Sequence, residues 1–179
     1  MMLAPGLYPF FRRQLQHGFG ERGLAEPATV DYVSDVLTRF AHTRALYLIQ
    51  DADGAPIETV AGLLTEWHRT QGWDDTAPDR SREALVIRHL GEFTLFMSGL
   101  FRDRLRARGQ LAYYIAQGRS AFWRCAAAEH NPRTAQVFRR LYGNFDQVAD
   151  ALDHIRHHRL PLSLQENGTV SPLGAVWRI

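Results

Sequence analysis

Lysine is absent from this 179-residue chain: the 21 side chains counted as Lys+Arg are all arginine. No Schiff-base lysine and no phosphate-loop lysine is available, so chemistry that needs an amine is excluded. Cysteine is nearly absent. The single Cys125 cannot close a bridge within the chain, and its neighbours in "FWRCAAAEH" are small and apolar, which fits a packed free thiol in a reducing compartment. Long apolar runs are missing too. No run approaches membrane-spanning length, and "MMLAPGLYPFFRRQ" has neither a basic leader nor a long apolar core, so a soluble, cytoplasmic protein without membrane contact is expected. Charge imbalance is slight. A formal net charge of +2 does not supply the concentrated basic face that a nucleic acid requires.

What the sequence does contain is helical period. Apolar residues spaced three and four apart fall on one stripe of an α-helix, and five such stripes can be read. Val30, Val33, Leu37 and Phe40 make the first. Ile57, Val60, Leu64 and Trp67 make the second, with Pro56 placed to open the helix. Leu90, Phe93, Met97 and Leu100 form the third, and Ile115, Gly118, Phe122 and Cys125 the fourth. Phe138, Leu141, Phe145, Val148, Leu152 and Ile155 form the longest, after Pro132. A further short amphipathic helix is expected at "YPFFRRQLQH", and "ALYLIQ" reads equally as a strand or a helical turn. The links "QGWDDTAPD", "RDRLRARGQ" and "EHNPR" are short and polar, which makes successive helices antiparallel neighbours. The fold class predicted is all-α: an antiparallel bundle of five to six helices over residues 1–158. Residues 159–179, with Asn167-Gly168 as a turn and Trp177 as an anchor, read as an irregular tail or small hairpin.

Motifs with chemical content are few. "GFGERG" matches the dinucleotide fingerprint formally, but a helix-like segment precedes it where a strand is required, so it reads as a connector. "DADG" lacks the later oxygen ligands of a calcium loop and reads as a turn. Asp146, Asp150, Asp153 and His157, spaced four, three and four, share one helical face and are weak candidates for metal ligands. The face lies off the apolar seam, so a solvated role is preferred, and neither metal nor other cofactor is expected. Arg102, Arg104, Arg106 and Arg108 read as a solvated link anchored by Leu105.

Glu92 stands out, as the one charged residue of "LGEFTLFMSGLF". If the third and fourth stripes pair, Glu92 and Arg119 flank one seam, and an ion pair between them is expected, with Tyr114 as a hydrogen-bond donor. Together "LGEFTLFMSGLF", "YYIAQGRSAFWR" and "LYGNFDQVADAL" resemble a family of uncharacterised bacterial all-helical proteins; the resemblance spans most of residues 40–155 and implies a helical fold without implying an activity. The role expected is that of a non-enzymatic helical protein that binds a protein partner or self-associates. The alternative is a bundle that binds a small acidic or aromatic molecule, with or without catalysis, in a pocket of His89, Glu92, Tyr114 and Arg119.

Overall fold

Nine helices occur among the residues that the computed structural model describes, 6–72 and 77–159. They are α1 (Leu7–Gly20), α2 (Pro27–Phe40), α3 (Thr43–Leu46), α4 (Val60–Thr70), α5 (Arg80–Leu100), α6 (Arg102–Ala107), α7 (Leu111–Ala128), α8 (Pro132–Gly143) and α9 (Phe145–Arg159). The fold is all-α. The reading of residues 160–179, Asn167, Gly168 and Trp177 among them, lies outside the described residues.

Four of the helices begin where a side chain satisfies their open N–H groups. Glu26 accepts from the Thr29 N–H with Pro27 at the first position of α2, Thr59 accepts from Gly62 N–H, and Asp79 from Arg82 N–H. Asn131 accepts from Arg133 and Thr134 N–H ahead of Pro132. Thr59 corrects the sequence reading of α4. Pro56 does not open the helix; it makes an isolated antiparallel bridge with Gln50, and the seam runs through Val60, Leu63 and Trp67, leaving Leu64 half-buried. Between the bridged residues "DADG" is a turn, held by Asp51 Oδ1, which accepts from the N–H groups of Asp53 and Ala55, both at 2.9 Å. "ALYLIQ" is therefore divided: its start ends α3 and its last residue is the bridge.

Two further expectations are corrected. Residues 18–20 are not a connector but the last turn of α1, and Gly18 there lies against Ile155 of α9, to which an added Cβ would come within 2.6 Å. The turn ends at Gly23, whose φ of +68° is left-handed. The longest stripe is not one helix. All six of its residues are buried, but Gly143-Asn144 interrupts the ladder, and Asn144 turns its side-chain amide onto the Arg140 carbonyl at 3.1 Å. The Arg102–Arg108 link is also helical at α6, with Leu105 buried as its anchor.

α5 is the central element. From Val86 to Leu100 its buried residues occupy every face, because α2, α4, α7 and α9 all pack on it. The α5–α7 pair is antiparallel: Gly91 faces Phe122 and Thr94 faces Gly118. Gly118 lets α7 sit against Phe145 and Thr94, and Gly99 leaves room for Leu152, so small residues set two of the crossings. One apolar cluster runs from Phe11 to Ile155, with Phe40, Phe96, Phe122 and Phe145 at its centre. No described helix is long and apolar enough to cross a membrane.

Candidate functional site: the cleft between the fifth and seventh helices

Glu92 lies on the face of α5 that α2 covers and is 3% exposed. Tyr32 and Arg39, two helical turns apart on α2, both reach it. The Tyr32 hydroxyl donates to Oε1 at 2.5 Å, and Arg39 brings Nη2 to 3.0 Å from Oε1 and Nη1 to 3.1 Å from Oε2. Arg88, one turn earlier on α5, adds Nε at 3.4 Å. The expected Glu92–Arg119 pair is therefore replaced. Glu92 faces α2 and not α7, and the Arg119 guanidinium lies 5.5 Å from the centre of the Tyr142 ring. Burial first and Glu92 second push the Tyr32 phenol well above its ordinary pKa, so it stays a donor.

The other two residues of the expected pocket are also packed. Tyr114 stands beside Phe93 and Tyr113. His89 is 2% exposed between Phe40 and Phe93, its Nε2 at 3.0 Å from the Leu46 carbonyl. A carbonyl only accepts, so Nε2 carries the proton and Nδ1 is a buried lone pair without a partner among the described residues. Burial holds this imidazole below the ordinary histidine pKa, against the opposing pull of Glu92 and the Leu46 carbonyl. None of these four residues lines either of the two clefts described below.

An open space lies on the other side of Arg88. A cleft of about 840 Å³ is bounded by α4, the first half of α5, the second half of α7 and α8. Its buried lining includes Trp67, Ile87, Cys125 and Phe138, while Leu85 and Trp123, 44% and 53% exposed, stand among its exposed lining residues. Three guanidiniums enter it. Arg80 is held by Glu83 at 2.7 Å, and Arg88 lies over the rings of Tyr32 and Phe138. Arg124 lies 4.3 Å from the centre of the Trp67 ring, with no carboxylate bound to it among the described residues. Trp67 Nε1 donates to Glu83 at 3.4 Å, which fixes the indole's edge. Burial raises the Cys125 thiol to about 12, so this sulfur is a protonated apolar surface and not a nucleophile.

The acidic face of α9 separates into two parts. Asp146 pairs with Arg102 at 3.0 Å and Asp150 with Arg22, beside a second cleft of about 440 Å³. Asp153 and His157 instead meet Asp103 of α6, a residue that the sequence reading did not include. Arg88, Arg124 and Leu85 were missed as well. No stripe contains them, and only the pairing of α5 with α7 brings them together.

Searches for similarity against family models, curated proteins and solved structures found no match to this chain.

Proposed function

We propose that the chain is a binding protein and not a catalyst, and that the α5–α7 cleft receives an apolar segment of a protein partner that also carries a carboxylate. The observation that carries this reading is the cleft's lining, where Trp123 and Leu85 stay exposed beside buried Trp67, Ile87 and Phe138. Large apolar groups lie beside an apolar floor, which is how interface anchors are arranged. Arg124 supplies the polar complement. It lies over Trp67 with no carboxylate partner among the described residues, whereas Arg80 is paired with Glu83. The protonated Cys125 fits binding and not covalent chemistry.

Site-specific photo-crosslinking in cells tests the reading. A photoreactive phenylalanine analogue placed at Trp123 is expected to give one discrete adduct with a second protein, which Leu85→Glu abolishes. The same analogue at Tyr142, exposed on α8, serves as control. Equal adducts from both positions, or an adduct untouched by Leu85→Glu, would contradict it. A product of twice the chain's mass would make the occupant another copy of this protein.

A further inference from the structure

We propose that the outer face of α7 seats an acidic amphipathic helix of the protein partner, laid along α7 with its carboxylates against Arg119 and Arg124. The inference rests on the reading above, that a partner engages Trp123, and names what that partner presents. Tyr113, Ala116, Ser120, Trp123 and Ala127 follow one another at spacings of three, four, three and four, so they form one row along α7, and all five are exposed. A helix at the surface of a bundle ordinarily carries charge along its outer face. Here the middle of that face is aromatic and small for about 21 Å, at 1.5 Å per residue. Tyr113 and Trp123 are 42% and 53% exposed, and the small residues between and beyond them leave hollows where another helix can approach closely.

Charge decides what fits the row. Arg119 and Arg124 stand on its opposite flanks: the Arg119 guanidinium lies over Tyr142 of α8, and that of Arg124 over Trp67 of α4. Neither has a carboxylate partner among the described residues. The flanks of an apolar helical seam are where paired helices place the charges that select one another. α7 itself holds no aspartate or glutamate, and α8 beside it adds Arg133, Arg139 and Arg140, again with no acid. Arg140 is taken by Glu26 at 2.7 Å, and the surplus left on the two helices is positive. Glu129, just past the end of α7, turns Oε1 onto the Asn131 N–H at 2.8 Å.

Other occupants match one part of this face and not the other. A second copy of the chain would set positive flanks against positive flanks, which disfavours association. A nucleic-acid strand requires cations in step with its phosphates, whereas the middle of the row offers apolar surface. An acidic amphipathic helix supplies apolar side chains for the row and carboxylates for both flanks. Trp123 and Arg124 also line the α5–α7 cleft, so a helix seated on the row covers the mouth of the cleft along one flank.

The test is a displayed library of peptides of about 18 residues, with leucine fixed at helical spacing and the flanking positions free to be Glu, Lys, Gln or Ser. Panned on the purified native chain, it is expected to return Glu over Lys at the flanks by about tenfold, and the double change Arg119→Glu with Arg124→Glu is expected to reverse that choice. Ser120→Glu, in the middle of the row, should weaken the retained peptides by about tenfold while circular dichroism stays as in the native chain. Retention of no peptide, recovery of Lys equal to Glu, the same preference in the doubly substituted chain, or native affinity in Ser120→Glu would overturn the inference. A single-stranded oligothymidylate that binds more tightly than the retained peptides would overturn it as well and make the face a nucleic-acid surface. The cleft reading is judged separately: where the adduct at position 123 still forms and Leu85→Glu still abolishes it, that reading stands although the acidic helix falls.

Discussion

At the scale of single residues, Glu92 and His89 are buried for different reasons and respond to different perturbations. Glu92 ties α5 to α2 through Arg39 and Tyr32, and its side chain is 4% exposed against 36% for Arg39. Desolvation offsets much of the attraction in such a pair, so its presence adds little net stability, while removal of one partner strands the other. Arg39→Met is expected to destabilise the protein by about 3 kcal/mol in urea unfolding. Adding Glu92→Gln to it should recover at least about 1 kcal/mol, the coupling of residues in direct contact. Additive losses would mean that the two side chains do not meet. His89 contributes a sensitivity to acid. Near neutral pH both the folded and the unfolded chain hold it uncharged, and it contributes no pH dependence. Below about pH 6.5 the unfolded chain takes up a proton that the buried ring resists, so stability falls with pH until the lowered folded-state pKa is passed. The loss of unfolding free energy between about pH 7 and pH 5 should therefore be smaller in His89→Asn than in the native protein. Equal losses would place the titrating group elsewhere.

At the scale of elements, stripes that face one core were legible and those that face two neighbours were not. Val30, Val33, Leu37 and Phe40 in α2 are all buried, because α2 lies at the surface of the bundle and turns one side inward. α5 gave a stripe of Leu90, Phe93, Met97 and Leu100, yet Met97 is only half-buried and Glu92, off the stripe, is fully enclosed. A helix wrapped on every side has no single seam, so period alone cannot say which neighbour meets its one carboxylate. The sequence therefore points Glu92 toward Arg119, while the structure gives it Arg39. Two partners on the same helix, Tyr32 and Arg39, were visible as a spacing of seven but carried no signal that α2 would cover α5. The break at Asn144 was hidden because the apolar period continues through it into α9. Both halves of that seam are expected to hold the core: Leu141→Ala and Leu152→Ala should each cost about 2–5 kcal/mol, since each leaves a cavity among fully buried neighbours. Losses below about 1 kcal/mol in thermal or urea unfolding would mean that the surrounding helices collapse to fill the space.

At the scale of the whole molecule, the buried charges and the open cleft serve separate ends. Glu92, Glu66 and Arg102 are each enclosed and each meet an opposite charge: Glu66 binds Arg82 at 2.6 Å, and Arg102 binds Asp146. They fix how the helices sit. The α5–α7 cleft leaves Trp123 and Leu85 exposed, and Arg124 meets the Trp67 ring but no carboxylate among the described residues. Fold class was readable from periodicity, whereas this cleft was not, because Trp67, Cys125 and Phe138 of its floor read as ordinary core stripes while Leu85, Arg88, Trp123 and Arg124 lie off every stripe. The most direct test is the equilibrium affinity of the purified protein for the partner that crosslinks at position 123, measured for the native chain, Trp123→Ala and Glu92→Gln with circular dichroism as a check of fold. Trp123→Ala is expected to weaken binding by roughly 30-fold, about 2 kcal/mol, as for an interface anchor, with helicity unchanged. Glu92→Gln should lower stability while the folded protein binds as before. Native affinity in Trp123→Ala, or a folded Glu92→Gln protein that no longer binds, would contradict the assignment of function to the cleft.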